Sequence, residues 1–369
     1  MSAIPLVDLA ASHAQVREEV LAGFDQVLAD TAFIGGKQVT EFERAYADFL
    51  GVRHCVGVGN GTDALELALR ALGVGPGDEC VVPANTFIAT AEAVARTGAT
   101  TRLVDCRADT YLMNVEHLDI VVGDRTKVII PVHLYGQAAP VEDILKVAGR
   151  VGARVLEDAA QSQGARQGAR AAGALADISA TSFYPGKNLG AYGDAGAVMT
   201  DDESLAQSVR LLGAHGSPAK YQHPVLGFNS RMDTLQAVVL NAKLARLSAW
   251  NEARRQAAAR YHQLLSTVEG VALPVTAPDN VHVWHLYVVR VARRDDVLSS
   301  LHADGIGAGI HYPTPVHLTG AFGHLGHHAG DFPVAEQTAG ELLSLPLFPE
   351  ITEDQQVRAA SALSKALAA

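Results

Sequence analysis

The chain has 369 residues, 48% of them hydrophobic, and a formal net charge of −11. That length exceeds one ordinary core, so about two domains are expected, and the acidic balance argues against nucleic acid or anionic membrane surfaces as general partners. Three cysteines, Cys55, Cys80 and Cys106, are too few and odd in number for a disulfide framework and read as buried, reduced thiols.

The N-terminus meets Asp8 before any basic or apolar leader pattern, and no apolar run is long enough to span a bilayer, so the cytoplasm is the expected location. From Cys55 to Thr200 short β-branched runs alternate with amphipathic stretches of helical length. Strands are predicted near Cys55–Val58, Glu79–Val82, Thr101–Asp105, Lys127–His133, Arg154–Glu157, Ser179–Phe183 and Gly196–Thr200. Helices are predicted near Thr62–Leu72, Thr86–Thr97, Val141–Gly152 and Asp202–Leu212. This alternation is that of an α/β domain around a mainly parallel sheet. Gly213–Pro224 has no apolar period and is expected to be a loop over the site. A long helix follows from about Asp233 to about Leu265, with Leu240, Leu244 and Leu247 on one face and Arg254, Arg255 and Arg260 further on. It is expected to link a large domain, residues 1–249, to a smaller C-terminal α+β domain, residues 250–369. Within the latter, Pro274–Asn280 is a turn-rich break, Val281–Val291 reads as a strand, and Gly305–Gly330 is an irregular interruption.

In parallel sheets ligands sit beyond the carboxyl ends of the strands, and three chemically distinctive segments fall at that edge. Lys187 is a lone amine between an apolar strand and the glycine-rich turn Gly186–Gly190, the pattern of a Schiff-base lysine. Asp158 ends a strand and can hold a proton on a pyridinium nitrogen, while Gln161 can reach a ring hydroxyl. Gly59–Asp63 opens a helix, so its two glycines, Gly59 and Gly61, let backbone amides approach a phosphate at the positive end, and Thr62 can add a hydroxyl. Taken singly, each has a plainer reading: a solvated lysine, an acid at a strand edge, a surface amide, or a turn capped by Thr62. Together they supply the amine, the carboxylate and the phosphate cradle that pyridoxal phosphate requires. Ser182 can donate to the phosphate, and Phe87 can stack on the ring or simply join the core.

GNGTDALELALRALGVGPGDE (59–79), VPANTFIAT (82–90), IPVHLYGQ (130–137), EDAAQ (157–161), SFYPGKNLGAYGD (182–194) and GFNSRMDTLQA (227–237) resemble, in order and spacing, the DegT/DnrJ/EryC1/StrS family of sugar aminotransferases. The likeness runs from Ile4 to Pro313. It implies the aspartate-aminotransferase architecture (fold type I) and a homodimer with shared active sites. It also implies Lys187 as the cofactor-bearing lysine, Asp158 at the pyridinium, Gln161 at the ring hydroxyl, and Gly61, Thr62 and Ser182 at the phosphate. Asn229 is expected to reach the phosphate of a neighbouring subunit. Tyr184, His311 and Tyr312 are expected over the hexose, with Lys220 and Arg231 as candidate cations for a nucleotide diphosphate.

The resemblance implies transfer of an amino group from an amino acid, most often L-glutamate, to a nucleotide-linked ketosugar. The wording around Tyr184 resembles members acting at C3 of dTDP-3-keto-6-deoxyhexoses. The alternatives are a C4 aminotransferase, a sugar dehydratase, which Lys187 disfavours, and a catalytically silent regulatory protein. Two departures stand out: Gln163 where many members have His, and Ala195 where many have Gly. Six of the 15 histidines fall between His302 and His328; without a companion carboxylate or cysteine pattern all but His311 read as solvated loop residues and no metal is expected.

Overall fold

The structure, a computed structural model, describes residues 3–368. Met1, Ser2 and Ala369, the extreme ends of the two expected domains, lie outside the described residues. After α1 (Leu9–Asp30) and α2 (Lys37–Leu50) come β1 (His54–Val58), α3 (Gly61–Ala71), β2 (Glu79–Pro83), α4 (Ile88–Thr97), β3 (Thr100–Val104), α5 (Val115–Val121), β4 (Thr126–Ile129), α6 (Val141–Val151) and β5 (Arg154–Asp158). A small hairpin, β6 (Arg166–Gln167) and β7 (Arg170–Ala171), precedes β8 (Ile178–Ser182), β9 (Gly196–Thr200), α7 (Glu203–Gly213) and α8 (Thr234–Leu265). The remainder holds β10 (Val271–Ala272), β11 (Asn280–Val281), β12 (Tyr287–Val291), α9 (Arg294–Ala303), α10 (Pro333–Glu341), β13 (Leu342–Leu345) and α11 (Glu353–Ala368).

Seven strands form one sheet in the order β1-β9-β8-β5-β4-β2-β3. Only β9 runs against its neighbours, so the other six end on a common edge. Both faces are covered, which is why β2 is buried along its whole length. Leu65 and Leu69 of α3 pack with Val94 and Val209 on one face, and Ile144 and Val147 of α6 pack with Val155 and Leu118 on the other. A third core joins Phe42 and Tyr46 to Phe183, Leu240 and Leu247. The far end of α8, through Ala257, Tyr261 and Leu265, packs with β12, β13, α9 and α11, and Ile4 returns to this same cluster. Val316, Phe322 and Phe332 instead cross back onto the core beneath α3 and α4.

Several expectations need correction. The strand predicted over Lys127–His133 stops at Ile129; beyond it the Pro131 carbonyl takes the Asp158 N–H and only a single bridge joins Val132 to Asp158. The strand predicted from Val281 starts at Tyr287, because Val283 and Leu286 donate instead to the carbonyls of Gly136 and Tyr135. Helices α1, α2, α5, α9, α10 and α11 were not anticipated. All three cysteines are free and buried. Among the described residues no helix is long and apolar enough to cross a membrane.

Candidate active site

At the shared strand edge lies a cavity of about 620 Å³. Its wall collects Gly61, Thr62, Phe87, Asp158, Gln161, Ser182, Tyr184, Lys187, His311 and Tyr312 from separate stretches of chain. Asp158, the last residue of β5, is 5% exposed. It accepts from Thr90 Oγ1 at 2.8 Å and from the Ala160 N–H at 3.1 Å. Burial pushes its carboxyl up, and these hydrogen bonds with the nearby Lys187 charge hold it partly back.

Lys187 sits on a loop closed by the Ala191 N–H on the Phe183 carbonyl at 2.8 Å, with its own N–H on the Tyr184 carbonyl. The closure is tight: a Cβ at Gly190 would lie 2.3 Å from the Pro185 oxygen, so only glycine fits there. Among the described residues the Lys187 amine has no hydrogen-bond acceptor. Burial lowers it to about 8, against the opposing pull of Asp158.

The anion cradle is formed by α3. Its cap is Asn60, whose Oδ1 accepts the Asp63 N–H at 2.8 Å, not Thr62. The N–H groups of Gly61 and Thr62 stand at the first helical positions, where no intrahelical acceptor exists. A Cβ at Gly61 would lie 2.5 Å from Ser182 Cβ, and one at Gly196 would lie 2.4 Å from the Asn60 oxygen. The turn is therefore wedged between β8 and β9.

Gln161 Oε1 accepts the Tyr135 N–H at 2.7 Å and its Nε2 donates to the Tyr312 hydroxyl at 3.0 Å, leaving one amide hydrogen. Phe87 is 51% exposed, so it faces the cavity instead of joining the core. Its ring centre lies 5.2 Å from that of Tyr312. His311 is fixed by Ser344 Oγ at 2.8 Å and, through its carbonyl, by the Tyr135 hydroxyl. Burial, then Lys187, lowers its imidazole to about 4, so it is neutral. Tyr184 is exposed.

Three expected site residues lie outside the cavity of this chain. Asn229 Oδ1 accepts from Arg231 Nε at 3.1 Å, and Lys220 lies 5.1 Å over the Tyr221 ring. The segment Gly213–Pro224 likewise does not line the cavity. Unanticipated members of the wall include Leu6, Val7, Thr90, Asp194 and His285. Thr90 and Asp194 lay within quoted motifs, whereas Leu6, Val7 and His285 carry no local signal. Gln163 is buried, with Nε2 2.9 Å from the Ser182 oxygen and 3.0 Å from Thr181 Oγ1; it braces the loop and its amide does not titrate. His317 corrects the expectation of solvated histidines: it is buried, pairs with Glu336 at 2.9 Å and packs on Phe332.

A buried carboxylate, an unpaired amine and an open helix N-terminus thus face one cavity, and they fit pyridoxal phosphate: Asp158 would hold its ring nitrogen, Lys187 its aldehyde carbon, and α3 with Ser182 its phosphate. Sheet order and site define the aspartate-aminotransferase architecture, fold type I. More narrowly, the chain belongs to the DegT/DnrJ/EryC1/StrS aminotransferase family, whose model matches residues 14–364. The dTDP-3-amino-3,4,6-trideoxy-alpha-D-glucose transaminase of Streptomyces venezuelae is 43% identical over 98% of this chain and 95% of its own. The UDP-N-acetyl-3-dehydro-alpha-D-glucosamine 3-aminotransferase of Acidithiobacillus ferrooxidans is 45% identical over 99% of this chain and 98% of its own. Among solved structures, S. venezuelae DesV in complex with a ketimine intermediate superposes with a TM-score of 0.97 at 43% identity, covering 99% of this chain and 98% of that one.

Proposed function

We propose that this chain is a pyridoxal-phosphate-dependent transaminase that moves an amino group from an amino acid, L-glutamate first among candidates, to C3 of a nucleotide-linked ketosugar, with a dTDP-3-keto-6-deoxyhexose as the leading substrate. The observation that carries the reading is the convergence of Asp158, Lys187 and the α3 N-terminus on one cavity that Tyr184, His311 and Tyr312 also line. The two curated relatives support C3, since both names place the amino group there, and they differ in the nucleotide.

When bound, pyridoxal phosphate supplies an aldehyde that takes up the amino group and a ring that accepts the electron pair. Asp158, buried and bonded by Thr90, would hold the ring nitrogen and keep its proton. Lys187 carries the proton between donor and cofactor carbon; with its amine lowered to about 8, it is a base near neutral pH. Tyr184, His311 and Tyr312 orient the sugar as hydrogen-bonding groups, His311 being neutral. Among the described residues Lys187 is the one lysine or arginine of the cavity wall, against Asp158 and Asp194. A nucleotide diphosphate therefore needs cations from elsewhere, and in a homodimer Lys220 and Arg231, with Asn229 at the cofactor phosphate, are the candidates.

The test is to convert the enzyme to its amino form and offer a panel of 3-keto and 4-keto sugars linked to dTDP or UDP, identifying products by NMR. The C3 reading expects a 3-amino product, with Tyr184→Phe and His311→Gln slowing the sugar half-reaction while the glutamate half-reaction stays near normal. Amination only at C4, or equal damage to both halves, contradicts it.

A further inference from the structure

The Lys187 loop is gripped from outside the cavity by one helix. Three residues of α8 recur about two turns apart on one face, and each takes hold of an alternate residue after Lys187. Asn251 Oδ1 accepts from Asn188 Nδ2 at 2.9 Å, Lys243 Nζ donates to the Gly190 carbonyl at 2.6 Å, and Gln236 Oε1 accepts the Tyr192 N–H at 2.8 Å. Asn188 is further held by the Val283 carbonyl at 3.0 Å and by His285 Nδ1 at 3.2 Å. The Asn251 amide also donates to the Gln163 carbonyl at 2.8 Å, and Gln163 in turn braces Ser182.

Lys243 is the unusual member. It is 5% exposed, its amine has no carboxylate partner among the described residues, and its remaining neighbour is the Tyr192 ring at 4.6 Å. An amine buried against one carbonyl and one aromatic face is a costly way to fill space, since an apolar side chain would fill it without the desolvation. Its stability value is therefore small, and the carbonyl it holds belongs to the loop that aims Lys187.

We propose that Gln236, Lys243 and Asn251 form a clamp whose role is to position Lys187, fixing the backbone on which the reacting amine is carried. They are positioning residues and touch neither substrate nor cofactor. The flexible Lys187 side chain places its amine only if its Cα is fixed, and a shift of about 1 Å at a reacting group costs up to roughly a hundredfold in rate. The Gln163 link extends the brace to Ser182 at the phosphate, so amine and cradle are referenced to the same helix. The inference rests on Lys187 being the cofactor-bearing lysine.

The test uses the full chain with Lys243→Met, Gln236→Met and Gln236→Glu; the last keeps an oxygen acceptor for the Tyr192 N–H. Circular dichroism and thermal melting report folding, and borohydride trapping with peptide mapping reports how fast added pyridoxal phosphate becomes linked to Lys187. The two Met variants are expected to keep the fold, to link about tenfold more slowly, and to lose a similar factor in kcat while KM for the amino donor changes less than about twofold. Gln236→Glu is expected to stay within about twofold of the parent. Linkage rates equal to the parent, with only the melting temperature lowered, or a Gln236→Glu variant as impaired as Gln236→Met, overturn the clamp. If Lys243→Met does not fold, the pair at half-buried Gln236 decides. A parent protein labelled at another lysine overturns both the clamp and the cofactor assignment; a parent labelled at Lys187 with unaffected variants overturns the clamp alone.

Discussion

Gly61→Ala sets two effects of opposite sign against each other. Gly61 is the first residue of α3 and its φ is not positive, so on helix propensity alone alanine gains at most about 1 kcal/mol. The added Cβ, however, would lie 2.5 Å from Ser182 Cβ and 3.1 Å from Ser182 Cα, about 1 Å inside an ordinary carbon contact. Relief by recoil is blocked, because the turn's other side meets Gly196, where the Asn60 oxygen and Gly61 N already lie 2.4 and 2.9 Å from a notional Cβ. Overpacking of this kind costs about 1–3 kcal/mol, so the clash wins and the net effect is destabilising. The displaced group is the phosphate cradle itself, so cofactor affinity should fall by about tenfold or more. Thermal melting and titration of the cofactor-free protein with pyridoxal phosphate measure the two effects. Gly149→Ala is the control: it lies within α6, nothing stands within 4 Å of its Cβ, and it should stabilise by up to about 1 kcal/mol. A Gly61→Ala protein as stable as the parent, with unchanged cofactor affinity, would refute the wedged turn.

The neutral form of Lys187 is the nucleophile, and with its amine lowered to about 8 the rate of covalent capture of pyridoxal phosphate should rise about tenfold per pH unit below that point and level off above it. A rate still climbing at about pH 10 would mean an ordinary, solvated lysine. Asp158→Asn removes the charge that raises the Lys187 value, so the plateau should begin at lower pH; the same variant should fold yet lose turnover by about a hundredfold or more, measured with saturating substrates. Near-normal turnover would remove Asp158 from the site.

Much of the fold was legible because its signals are local. The runs that became β1, β2, β5, β8 and β9 are short and apolar, and the residues after them, Asn60–Thr62, Asp158–Gln161 and Ser182–Lys187, are where a parallel sheet presents ligands. Boundaries failed where one residue or a distant backbone group decides them: Pro131, just past β4, has no N–H to give the ladder, and residues 282–286 forgo pairing to dock on Tyr135 and Gly136. Leu6, Val7 and His285 reach the cavity through contacts far along the chain, and no periodicity encodes such proximity. The same holds for the α8 clamp. Along that helix apolar and polar residues face different partners on different sides, so Gln236, Lys243 and Asn251 acquire meaning only once the Lys187 loop lies against them.

The central claim is that Lys187 carries the cofactor. Borohydride reduction of the protein loaded with pyridoxal phosphate, followed by peptide mapping, tests it directly, and the competitor is real: the buried Lys243 amine is also lowered to about 8 by desolvation. A single adduct is expected on Lys187, abolished in Lys187→Ala. An adduct on Lys243 or Lys220, or one that survives Lys187→Ala, would contradict it.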